Sequence, residues 1–537
     1  MTASLPGYAA LAALTGLALW SAARPGGWAQ HRALFAALLA LTIIAAHAPT
    51  LGWRDELPNP DEAQLLAGAL TLQHHFAPWL SVDLSTAGPV SVLPLLPLPV
   101  NFQIARWLAA LCAATAVVFS WLALTSARDH PVARIVALPV AAFFVFMESI
   151  ELFQFSTEHV AAVLLAGAAW IWLAATTGGD QPSGRAALAG FGLCLGAAFM
   201  AKVQSAPCGA WLALAAGGLV LGDSRLTWSR RSACFAALLA GCAVAPVFFF
   251  LLAAAQGVLP DLLNSYVRNN FQYVTDMPRG STGYQPGMIW GLNYLLKPVG
   301  GLLLVGLLFV GGFTPAERRT SFLLLGGLAA AITAIVLPGR GSGHYWLFVF
   351  GPVLLAFGSV ALPAWRRLAA HPSVRPAWRR WAPPGLALLL LGLPLAHRLR
   401  SSRDEALTGT MGRVSSVREA GEKLRGLARR GDTLTVWGWR AELHVHSQLP
   451  QGTREAHTQW LIEPVPQQAY YRRRFLGDLA HTRPRFIADA VGPQGFAYTD
   501  RAASGHETFA ELNRLLARDY NYIGETAGVR LYIRHEP

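Results

Sequence analysis

Charge is what this sequence has least of. Only 14% of its 537 residues are charged, whereas a soluble enzyme carries about a quarter of its residues as charged groups. Lysine is nearly missing: of 43 basic residues, only Lys202, Lys297 and Lys423 are lysines. Cysteine is scarce too. Cys112, Cys194, Cys208, Cys234 and Cys242 all lie in or beside apolar runs, so no disulfide framework is implied for the polar C-terminal region. The apolar run 5–20 lacks a charged leader and a second apolar run soon follows, so it reads as a retained span, not a cleaved signal. These absences exclude an ordinary soluble enzyme and a disulfide-stapled secreted domain.

What is present is apolar. Runs near the ~20 residues that cross a bilayer recur at 5–22, 33–52, 101–124, 135–152, 160–177, 187–202, 204–222, 233–256, 287–312, 321–338, 345–363 and 384–398. They predict a polytopic α-helical membrane protein of about twelve transmembrane helices. The net charge of +13 invites a nucleic-acid reading, but the arginines gather in short loops at 24–32, 128–134, 225–231, 318–319 and 366–380. Alternation of the spans puts all of these loops on one side, the positive-inside pattern of a membrane protein. Membrane lipids, and no nucleic acid, are the expected surroundings.

The opposite side then collects almost every unusual polar group: Asp61, Glu62, Asp83, Glu158, His159, Lys202, Arg268, Asn269, Asn270, Arg340 and His344. Residues 1–398 are expected to form the transmembrane part, with a long non-cytoplasmic loop at 53–100. Residues 399–537 return to a normal charge density and are expected to form a soluble α/β domain outside the cytoplasm. There, helices near 413–430, 468–482 and 506–518 alternate with strand-like runs at 433–437, 485–488 and 520–534. No Gly-rich phosphate loop or metal-ligand spacing occurs in it. Its expected role is to shape or cover a site.

The loop 53–100 holds the motifs that carry a family likeness. Pro60-Asp61-Glu62-Ala63-Gln64, followed by Ser81-Val82-Asp83 and Gly88-Pro89, resembles the first non-cytoplasmic loop of GT-C membrane glycosyltransferases. It resembles in particular the bacterial relatives of protein O-mannosyltransferases and of the lipid A aminoarabinose transferase. The stretch 196–204 with its lysine, and Arg340-Gly341-Ser342-Gly343-His344-Tyr345 at a span entrance, fit the same pattern. The resemblance implies transfer of a hexosyl or pentosyl group from a polyprenyl-phosphate donor to an acceptor hydroxyl, with inversion, at the outer face of a bacterial inner membrane. The acceptor would be a lipid, a glycan or a protein. One departure matters: some relatives have a lysine and two prolines where this chain has Thr86-Ala87-Gly88-Pro89.

The resemblance assigns Asp61 as general base, a role in which a positioned carboxylate contributes ~10²–10⁴-fold; a helix cap is the plainer reading. Glu62 would position it, or simply favour a helix start. Lys202 is the expected cation for the leaving phosphate, against an interfacial anchor. Arg340, His344 and Tyr345 have the same alternatives, a phosphate contact or a basic turn. Asp83 would contact donor or a divalent cation, or make a turn. Glu158 would add a second acid, or end a span facing water. Arg268 would line a carrier groove, or sit on a surface helix. His74 and His75 lack a third ligand at zinc spacing, so no metal site and no resident cofactor is assigned. A transporter or flippase is the rival reading. It would favour internal repeats and polar groups at mid-span, neither of which the sequence displays.

Overall fold

The computed structural model describes residues 5–23, 31–48, 51, 59–84, 86–127, 132–146, 150–177, 184–275, 291–338, 342–400, 417–493 and 495–536. Every predicted span overlaps a helix. Among the described residues seven helices are long and apolar enough to cross a membrane by length and composition, including Phe102–Ser126, Thr157–Thr176 and Trp228–Ala255. Arg32–Ala46, Ala133–Phe146 and Arg185–Ala201 are equally apolar but shorter.

Small residues decide the closest helix contact. Gly192 and Gly196 on the Arg185–Ala201 helix face Gly241 on the Trp228–Ala255 helix. A methyl group on Gly196 would lie 2.2 Å from the Cys242 carbonyl oxygen, and one on Gly241 would lie 2.2 Å from that of Ala189. The two backbones therefore touch, as small-residue spacing allows between apolar helices. The contact fixes the C-terminal end of the first helix, where Lys202 stands as its cap. Gly88 seats the preceding loop against the same end. Its N–H donates to Ala201 O at 3.0 Å, and a Cβ there would fall 1.9 Å from Met200 O.

The C-terminal part carries a four-stranded sheet in the order β1-β2-β4-β3: β1 Leu434–Trp437, β2 Phe486–Asp489, β3 Tyr520–Thr526 and β4 Val529–Arg534. β1 and β2 are parallel, which requires a long crossover; Glu442–Ser447, Gln459–Ile462 and Gln468–Thr482 supply it. β4 pairs antiparallel with both β2 and β3. Strands β1 and β2 are buried throughout, as parallel strands covered on both faces are.

A buried network of charges joins this tail to the bundle. Arg474 pairs with Asp83, with Glu455 at 2.8 Å and with Asp261 at 3.2 Å. Arg454 adds Asp261 at 3.0 Å and Asp478 at 3.2 Å.

Candidate active site

The acidic pair splits in two. Pro60–His74 is a helix whose cap is Asn59, its side chain accepting from Asp61 N–H at 2.9 Å. Asn59 is itself held by Gln154 at 2.9 Å. The helix thus begins earlier than expected, and Asp61 lies inside its first turn and is not its cap. There the helix dipole favours an anion. Successive helical residues point about 100° apart, so Glu62 faces elsewhere. It is fully buried, 3.3 Å from Arg106, and accepts the Phe155 N–H at 3.0 Å. Glu62 ties three segments together and leaves Asp61 to face a cavity.

That cavity measures roughly 560 Å³ and is lined by Asp61, Glu158, Lys202, His344 and Tyr345 together. Each comes from a helix end: Glu158 opens the Thr157–Thr177 helix, Lys202 caps Arg185–Ala201, and His344 and Tyr345 lie in the 3-10 turn Gly343–Phe348. Lys202 Nζ is 3.2 Å from Glu158 Oε1. His344 stands between two carboxylates, with Nδ1 3.5 Å from Glu151 and Nε2 3.9 Å from Glu158. Glu151 also accepts the Gly343 N–H at 2.5 Å, which pins the turn. The cations of the site are thus held in place by carboxylates. Lys202 is 14% exposed, and that exposure is to the cavity; it does not reach out as an interfacial anchor.

Asp61 is exposed to the cavity yet enclosed by protein. Loss of water pushes its carboxyl above the ordinary range, and the charges of His344 and Lys202 oppose that push. Its side chain makes no hydrogen bond or ion pair among the described residues, and it is left open to a ligand.

The other predicted residues go elsewhere. Asp83 is buried in the network with Arg474 and accepts from Ser265 at 2.8 Å, so it joins tail to bundle and does not line the cavity. Arg268 is exposed outside the cavity, although its neighbours Val267 and Asn270 line it. Arg340 lies outside the described residues. Among the described residues one cluster is of metal-ligand type, Asp489, His506 and Glu507. Arg501 already fills it, 2.6 Å from Asp489 and 2.7 Å from Glu507, so a second cation fits poorly there.

Two walls were not read from the sequence. An apolar one is formed by Phe199, Val203, Ala206, Pro207, Phe271 and Leu337. The other belongs to the tail: Trp439, His457, Gln459, Trp460 and Glu463. His457 Nε2 donates to Gln64 Oε1 at 3.1 Å and its ring stacks on Trp439 with centroids 4.7 Å apart. Burial lowers the His457 pKa to about 4, so the ring is neutral at neutral pH. Their one sequence signal was a pair of tryptophans in the crossover that follows a strand.

No protein-family model and no curated protein matches this sequence. Solved structures do. ArnT from Cupriavidus metallidurans bound to undecaprenyl phosphate aligns over 94% of this chain and 98% of its own, at 13% identity and a TM-score of 0.55. The apo form of the same protein aligns over 92% and 97%, at 14% identity and a TM-score of 0.53. Nearly the whole chain therefore has the fold of these ArnT structures.

Proposed function

We propose that the protein is an integral-membrane glycosyltransferase that moves a sugar from a polyprenyl phosphate to an acceptor hydroxyl, with Asp61 as general base. The carrying observation is an unpaired carboxylate facing the same cavity as Lys202 and His344, beside an apolar wall. In this reading the acceptor oxygen attacks the anomeric carbon while its proton passes to the Asp61 carboxylate. The bond from that carbon to the phosphate oxygen breaks, and the phosphate leaves with the electron pair. A raised carboxyl pKa suits a base for this step. Attack opposite the leaving group inverts the anomeric centre.

Lys202 and His344 stabilise the charge that develops on the phosphate, and their carboxylate partners hold them ready without reorganisation. Thr86 and Ala87 line the same cavity as Lys202. A lysine arriving from another helix can thus do what the loop lysine does in relatives that have one. The apolar wall suits the first units of a polyprenyl chain, and the same fold has been solved with undecaprenyl phosphate bound.

Helix direction supports the sidedness of this reading. Arg185 opens the helix that Lys202 caps, so the two are separated by ~25 Å of helix. Arg318 and Arg319 open the helix after which Leu337 lines the cavity. Arginine-rich ends remote from the cavity support a cavity on the non-cytoplasmic face of a bacterial plasma membrane, covered by the tail. The test is incubation of purified protein with a panel of undecaprenyl-phosphate monosaccharides, scoring release of undecaprenyl phosphate. Release that depends on an added acceptor is expected; binding with leaflet-to-leaflet movement and no release would favour a flippase.

A further inference from the structure

We propose that the tail's wall of the cavity is a carbohydrate subsite in which Trp439, Trp460 and Glu463 recognise a sugar ring about one helical turn beyond Asp61. This rests on the transferase reading and adds what selects the sugar. The wall is built rigidly. Gly438, at φ +101°, turns the chain sharply after β1, a conformation that L side chains avoid. Its N–H donates to Thr458 Oγ1 at 2.7 Å, and Thr458 N–H donates back to Gly438 O at 2.9 Å. The two cavity-lining segments, at 439 and 457–463, are therefore locked to each other.

The wall is also placed against the proposed base. His457 bonds Gln64, and Gln64 follows Asp61 by three residues, ~4.5 Å along the helix axis. A ring whose reacting atom meets Asp61 would extend over the Trp439–His457 stack.

Its chemistry suits a polyol and disfavours a phosphate. None of its cavity-lining residues is basic, and His457 is neutral. Glu463 is oriented by Tyr498 OH at 3.0 Å and by Gln459 Nε2 at 3.1 Å. No ion pair neutralises it among the described residues. Both of those hydrogen bonds end on Oε1, so acceptor sites remain for sugar hydroxyls. Trp439 Nε1 is shielded from solvent and has no hydrogen-bond partner among the described residues. A buried donor left unsatisfied is costly, and a sugar hydroxyl would satisfy it once the indole turns to bring Nε1 onto the cavity. Indole faces meanwhile receive the apolar C–H face of a sugar. Phosphate and sugar are thereby sorted to different parts of the lining, the phosphate to Lys202 and His344 and the sugar to the tail.

The ring could belong to the donor or to a glycan acceptor, and kinetics separate the two. Glu463→Gln, Trp439→Phe and Trp439→Ala are compared with wild type for affinity towards bare undecaprenyl phosphate and for the KM of the undecaprenyl-phosphate sugar and of the acceptor. The expected result is unchanged affinity for the bare carrier with a KM raised at least about tenfold for one sugar-bearing partner. Trp439→Phe should lie between wild type and Trp439→Ala. A donor KM shift assigns the ring to the donor, an acceptor KM shift to the acceptor, and either supports the subsite. Equal weakening of the bare carrier, or no change in either KM, overturns it. If wild type releases no carrier from any donor, the transferase reading itself fails before the variants are compared.

Discussion

Asp61 and Glu62 are neighbours with opposite work. Asp61 carries no structural bond through its side chain among the described residues, while Glu62 is fully buried against Arg106. Asp61→Asn should therefore cut transfer by ~10²–10⁴-fold with thermal stability close to wild type. Glu62→Gln should do the reverse first, because it removes the carboxylate charge opposite a buried guanidinium, a change that costs about 3 kcal/mol or more. Melting in detergent and initial rates on the same preparations separate the two. Wild-type turnover by Asp61→Asn would pass the base role to Glu158, a second carboxylate that the bundle places on the cavity. Glu158 has its own test, since it holds Lys202 at 3.2 Å. Glu158→Gln should weaken donor binding by freeing the ammonium to wander, less severely than Lys202→Ala.

At the scale of helices and loops, glycine placement decides which substitutions the bundle tolerates. Gly190 and Gly196 share one helix, yet a Cβ on Gly190 meets nothing within 4 Å and one on Gly196 runs into the Cys242 backbone. Gly190→Ala should be neutral or stabilise by about 0.5–1 kcal/mol, whereas Gly196→Ala should destabilise by ~1–3 kcal/mol. Gly196→Ala should also lower activity, because the helix end it displaces bears Lys202. Equal melting temperatures for the two variants would mean the helices do not touch there. Elements of this kind were legible because the spans read as long apolar runs, and Lys202 and His344 stood out as exceptions to the arginine pattern. Asp83 misled: its loop motif pointed to the donor, but its partner Arg474 lies 391 positions away and no local spacing reveals it. Trp439, His457 and Glu463 escaped for the same reason. They join the site only once the crossover of the tail folds over the bundle.

The whole molecule depends on that docking. A reporter fused after residue 400 should be active only outside the cytoplasm, since the arginine-rich helix ends lie away from the cavity that the tail covers. Cytoplasmic activity would invert the orientation and remove the proposed function with it. Docking should also respond to pH. Burial is the largest influence on Glu455 and pushes its carboxyl up; Arg474 opposes this, and Asp478 and Asp83 reinforce it. Burial likewise raises Asp478, against Arg454. Both acids therefore hold protons when docked at pH values where the undocked tail has lost them. The docked state binds more protons, so its stability falls as pH rises from the ordinary carboxylate range through the raised values, and it levels off above them. Hydrogen exchange across 417–493 should accordingly be slower near pH 5.5 than near pH 7.5 after correction for intrinsic rates. Glu455→Gln, which cannot ionise, should reduce that difference and leave the share that Asp478 contributes. An unchanged pH response in Glu455→Gln would mean that Glu455 is ionised in both states, with Arg474 outweighing burial.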